Sequence, residues 1–136
     1  MLILNNSADY ALRAVLFIAR RNGNGPANAD VIAEALDVPR NYLGKILHQL
    51  VRAHVLTSVR GPNGGFSLAA SPGSLALAQI IEPFQSLAPR SQCLLSDRAC
   101  NPRRPCVSHK RWQTMTNEVG RFFKTTTVEL MLEEIS

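Results

Sequence analysis

The chain has 136 residues, 46% of them hydrophobic, and carries a formal net charge of +5 with a pI near 9.6. That length holds one domain with room for an appendage, and the apolar content is enough for a packed core. No run of about 18 apolar residues occurs, which excludes a transmembrane helix. The N-terminus MLILNNSADY has neither the basic nor the long apolar region of a signal peptide, so a cytosolic location is expected.

The charge is unevenly spread. Residues 1–70 hold seven basic and four acidic side chains, a net of +3, and residues 86–113 hold six basic and one acidic, a net of +5. Residues 114–136 are acidic, at −2. A basic front half and a basic middle suit a polyanionic partner.

In chain order, Asn5-Asn6-Ser7 offers N-cap residues for a helix over 9–21, with Ala11, Ala14, Val15, Ile18 and Ala19 on one stripe. Asn22 to Pro26 stops it. A short second helix is expected over Ala29–Leu36. After the turn Asp37-Val38-Pro39, a third helix runs to about Ala53, with Pro39 at its first position. Tyr42, Leu43, Ile46, Leu47 and Leu50 form its apolar face. Short helix, tight turn and longer helix make a helix-turn-helix. VLTSV (55–59), a turn over 60–65 and Phe66-Ser67-Leu68 then predict a two-stranded hairpin, the wing. A helix is expected over about 74–84.

A long helix is expected over 107–124, spanning about 27 Å at 1.5 Å per residue. Trp112, Met115, Val119 and Phe122 recur on it at spacings of 3, 4 and 3, as in a coiled-coil seam. A matching helix of a second copy is the economical cover for that stripe, and packing on its own domain is the alternative. Thr126 and Glu129 have capping-box spacing for a short last helix. The predicted class is mainly α: a winged helix-turn-helix domain (1–84), a cysteine-rich loop (85–106), and a dimerisation helix with a short C-terminal helix (107–136).

The third helix exposes Arg40, Asn41, Lys45, His48, Gln49 and Arg52. Arginine, lysine, asparagine and glutamine read base edges in the major groove, most often from the first turns of a recognition helix. Arg40, Asn41 and Lys45 are therefore expected at bases or adjacent phosphates, and Arg52 at phosphate. Arg60, at the wing tip, suits the negative potential of a narrow minor groove. Each of these is equally at home as a solvated surface residue. Gly61, Gly64 and Gly65 do not match a nucleotide-binding loop, and no βαβ unit follows.

All three cysteines lie within seventeen residues, ending on a histidine: Cys93-x6-Cys100-x5-Cys106-x2-His109. In a reducing compartment, clustered thiols read as metal-binding or redox-active rather than as structural disulfides. Zinc sites usually show cysteine pairs two to four residues apart, which these are not. Iron–sulfur clusters accept wider loops and a histidine ligand, and the surrounding cations would lower the thiol pKa values. Zinc on the same four side chains and a disulfide switch remain alternatives, and His109 can instead cap the long helix. Asp9, in the first turn of its helix, suits the helix dipole or serves as a hard ligand reaching across a dimer.

These residues resemble the Rrf-type winged-helix transcription regulators, in particular their IscR-like and NsrR-like iron–sulfur sensors. The resemblance covers essentially the whole chain. It is carried by Asp9-Tyr10-Ala11-Leu12-Arg13, by Tyr42-Leu43 with Lys45-Ile46-Leu47 and Leu50, by Val59-Arg60-Gly61-Pro62-Asn63-Gly64-Gly65-Phe66, and by the cysteine loop with Trp112. It implies a homodimeric regulator of a palindromic operator, with no enzymatic activity, no membrane and no small-molecule substrate. It also implies a cluster responsive to iron–sulfur status, redox or nitric oxide. The IscR type implies a two-iron cluster on Cys93, Cys100, Cys106 and His109. The NsrR type implies a four-iron or two-iron cluster in which a partner's residue matching Asp9 can ligate. The first cysteine gap is six residues where IscR-like members commonly have five. The expected DNA-binding set is Arg40, Asn41, Tyr42, Lys45, Arg52, Arg60 and Asn63.

Overall fold

A computed structural model describes residues 4–21, 25–87, 103 and 109–135. Its elements are α1 (Asn6–Arg20), α2 (Ala29–Leu36), α3 (Arg40–Arg52), β1 (Leu56–Val59), β2 (Gly65–Leu68), α4 (Leu77–Ile81), α5 (His109–Thr125) and α6 (Val128–Ile135). Helix α1 is central. It packs against α2, α3, α4, α6 and β2. Its buried face is mostly alanine (Ala8, Ala11, Ala14 and Ala19, with Val15 and Ile18), and such small side chains let several neighbours approach closely. Around it lie the fully buried Ile32, Leu43, Leu47, Leu50, Leu56, Leu77, Ile80, Ile81 and Val128. No polar or charged residue is buried among the described residues.

The helix starts follow from side-chain caps. Asn5 Oδ1 accepts from the Ala8 amide at 2.8 Å, and Asn28 Oδ1 from the Val31 amide at 2.8 Å, each satisfying an orphan N–H. Helix α3 differs from expectation: Pro39 is its N-cap rather than its first helical residue, and no side chain caps that end. The two helices of the helix-turn-helix end alike. Val38 N donates to Ala33 O and Asp37 N to Glu34 O, while Val55 N donates to Leu50 O and His54 N to Val51 O. Both are two-bond Schellman endings. Asp37 and His54 hold the left-handed position, at φ 54° and 63°.

The wing is an antiparallel pair in the register Leu56↔Leu68 to Val59↔Gly65. It starts one residue later than VLTSV suggested, because Val55 closes α3. Ala27 adds a bridge on the other side of β2, exchanging hydrogen bonds with Phe66 at 3.1 and 2.8 Å.

Helix α4 is shorter than the expected 74–84. Pro72–Ser74 form a 3-10 turn, and Leu75 and Ala76 are extended. The reason is tertiary: Leu77 N donates to Thr126 O and Val128 N to Leu75 O, both at 2.9 Å, stitching this segment to the α5–α6 link. Thr127 rather than Thr126 caps α6, its Oγ1 accepting from Leu130 N at 3.3 Å.

The α5 stripe divides. Trp112 and Phe123 are buried and Val119 packs on the core. Met115 and Phe122 remain 47% and 50% exposed.

Candidate nucleic-acid interface and cysteine loop

Helix α3 is held from behind by its apolar face and by two contacts to α1. The Tyr42 hydroxyl hydrogen-bonds Ser7 Oγ at 2.9 Å, and the Tyr42 ring meets Tyr10 edge-on at 5.8 Å. Tyr42 is thus half-buried and seats the helix. Arg40, Asn41, Lys45, His48, Gln49 and Arg52 are all exposed. Arg40 is the one among them with an ion pair, its Nε donating to Asp30 Oδ1 of α2 at 2.8 Å. With its first amides uncapped, α3 presents unsatisfied N–H groups at the end that carries Arg40 and Asn41, an arrangement suited to phosphate.

The wing lies beside α3. His48 meets the Phe66 ring edge-on at 6.3 Å, tying the middle of α3 to β2. Residues 60–63 form the exposed tip, carrying Arg60 and Asn63. Gly61 has φ 108°, and its carbonyl accepts from Gly64 N at 3.0 Å. At Gly65 a side chain would run into the Ala27 carbonyl, so the wing's base requires glycine. Helix α3 exposes Arg40, Asn41, Lys45 and Arg52, and the wing tip exposes Arg60 and Asn63. Sequence reasoning named these and overlooked Asp30, which reads as an ordinary first-turn helix acid.

Cys93, Cys100 and Cys106 lie outside the described residues, as does the start predicted at 107 for the long helix. His109, the first residue of α5, is half-buried, and no hydrogen bond or ion pair to a described residue engages its imidazole. Among the described residues no three His, Cys, Asp or Glu side chains converge. Asp9 is committed within its own helix, pairing with Arg13 Nε at 3.0 Å across one turn. The chain entering the cysteine loop is tied to that end of α1: Asn5 N donates to Gln85 Oε1 at 2.7 Å, and Asn5 Nδ2 to Phe84 O at 2.9 Å.

A helix-turn-helix with an uncapped, cation-bearing second helix and an adjoining wing defines a winged-helix DNA-binding protein. Residues 4–134 match the Rrf2 family, described as an iron-dependent transcriptional regulator. The chain belongs to the Rrf2 family and is a transcriptional regulator, not an enzyme. It is 34% identical over 130 residues to a proposed HTH-type transcriptional regulator of Aquifex aeolicus, covering 94% of this chain and 90% of that one. It is 26% identical over 131 residues to the HTH-type transcriptional regulator IscR of Aliivibrio salmonicida, covering 96% and 77%. In fold it is similar to CymR, the global cysteine regulator of B. subtilis, with a TM-score of 0.83 at 22% identity and 98% of each chain covered. It is likewise similar to T. potens IscR, with a TM-score of 0.78 at 23% identity, covering 99% and 89%. No helix among the described residues is long and apolar enough to cross a membrane.

Proposed function

We propose that this chain is a cytoplasmic homodimeric repressor whose affinity for a palindromic operator is set by an iron–sulfur cluster, two-iron in first choice and four-iron in second. The observation that carries this is the donor set Cys93, Cys100, Cys106 and His109 in a family described as iron-dependent. Three thiols and an uncommitted imidazole at the head of α5 have the chemistry to hold such a group. Asp9 is the weaker fourth ligand, since Arg13 already engages it. A bound cluster supplies a centre sensitive to redox state, iron supply and nitric oxide.

The working division is 1–84 for DNA, 85–106 for the cluster and 107–136 for pairing. Arg40, Asn41 and Lys45 address bases or nearby phosphates. Arg52 and Asn63 address the backbone, Arg60 enters the minor groove, and Tyr42 seats the helix. Residues 86–108, which include the three cysteines, join the tethered Phe84-Gln85 stretch after α4 to His109 at the start of α5. Holding those four side chains together therefore fixes how α5 leaves the DNA-binding unit, and through a dimer it fixes the separation of two recognition helices. Many helix-turn-helix dimers need their half-sites about 34–36 Å apart.

Anaerobic reconstitution with iron and sulfide tests this. The expected result is visible absorption with bound iron and sulfide, lost in Cys106→Ser. A colourless protein with stoichiometric zinc, binding DNA regardless of redox state, would support a structural zinc loop. Disulfide-dependent DNA binding without metal would support a thiol switch. Absence of iron and sulfide after reconstitution refutes the cluster reading.

A further inference from the structure

Arg40 opens α3, the position from which a recognition helix reaches base edges. Its Nε donates to Asp30 Oδ1 at 2.8 Å. Its Nη1 stands 2.9 Å from where a Cβ on Gly44 would be, so the guanidinium lies along the first turn of α3 over a residue without a side chain. A guanidinium pairs bidentately through either of two edges. With Nε engaged by Asp30, the edge formed by the two terminal nitrogens is left for a ligand, and it matches O6 and N7 of guanine.

Charge alone disfavours Asp30 where it stands. It is a carboxylate paired with Arg40, one of the cations proposed to meet DNA. Its contribution to the α2 dipole requires no contact with Arg40, and Asn28 already caps that helix. The pair is open to solvent, with side chains 54% and 81% exposed, so it adds little to stability. What it contributes is orientation.

We infer that Asp30 is a positioning residue for sequence readout: it holds Arg40 across Gly44 so that the dimer selects guanine at one position of each half-site. This rests on α3 being the recognition helix, as proposed above. Full-length wild type, Asp30→Ala, Gly44→Ala and Arg40→Ala are each selected against a randomised duplex library. Affinities are then measured for the selected duplex, for the same duplex with the assigned guanine replaced, and for random-sequence duplex.

Wild type is expected to prefer guanine at one symmetric position on the order of tenfold, and Arg40→Ala to lose that preference. Asp30→Ala is expected to weaken the preference about threefold or more, while binding random duplex more tightly because a negative charge has gone. A purely structural Asp30 would lower both affinities together, and that outcome overturns the proposal. Gly44→Ala gives a second route. Its Cβ meets only the free end of Arg40, and alanine favours helix, so melting temperature holds or rises while the preference falls. Unchanged preference in Asp30→Ala, or preference retained in Arg40→Ala, overturns the positioning role and leaves DNA binding standing. Wild type without affinity for any duplex at low salt overturns the recognition-helix reading as well.

Discussion

His54 and Gly65 frame the wing, both at positive φ, but only Gly65 is the residue that such an angle suits. His54 ends α3 at φ 63° while exposed to solvent. The left-handed region costs an L-residue roughly 1–2 kcal/mol, against about 0.5–1 kcal/mol for the extra chain entropy of glycine. His54→Gly should therefore stabilise the protein by up to about 1 kcal/mol, seen as a higher denaturant midpoint at constant slope. Gly65→Ala should do the opposite. Its Cβ runs into backbone of Ala27 and Asn28, which cannot step aside as a side-chain tip can, and a loss of about 1–3 kcal/mol is expected. The same residues show what a sequence reveals. The glycine cluster at 61–65 announced the turn because glycine has few other reasons to gather there. Asp37 and His54 gave no such signal: their left-handed angles are imposed by the pair of hydrogen bonds that closes each helix.

Helix α5 shows how a correct periodicity divides between two jobs. At about 100° per residue, Trp112, Val119 and Phe123 fall within about 40° of one another, and Met115 and Phe122 are rotated about 60–80° to one side of Trp112. Val119 and Phe123 face the core of their own domain and Trp112 is buried, while Met115 and Phe122 face out. The apolar spacing was legible, but which edge of the stripe the domain claims depends on α4 and on the hydrogen bonds joining 75–77 to 126–128. Those bonds also shortened α4, and no local pattern encodes them. The adjacent phenylalanines therefore separate fold from assembly. Phe123→Ala should cost about 3–5 kcal/mol, as a buried aromatic does, and lower the melting temperature at any protein concentration. Phe122→Asp should leave the monomer folded, because its ring is half exposed, and convert the proposed dimer to monomer in sedimentation analysis. A folded Phe122→Asp variant that sediments as a dimer excludes this face as the pairing surface.

For the whole molecule, the reading surface, the α5 face and the cysteine loop make one linked prediction. A single reading unit offers few cations, chiefly Arg40, Lys45, Arg52 and Arg60, and Asp30 pairs with the first of them. Strong, salt-sensitive binding then requires two units on one duplex, the second engaging at the effective concentration set by the first. With about 6–10 phosphate contacts per dimer, affinity for a palindromic duplex should fall by roughly 10³–10⁵ between 50 and 200 mM salt. A duplex carrying one half-site should lose most of that steepness. Phe122→Asp should bind the palindrome and the single half-site alike, with the shallow salt slope of one unit, while Arg60→Ala should weaken both and reduce the slope further. If Phe122→Asp keeps the steep slope and the preference for two half-sites, the two recognition helices are joined by something other than α5. The cysteine loop would then have no lever through that helix, since His109 acts on operator spacing only if α5 carries the spacing.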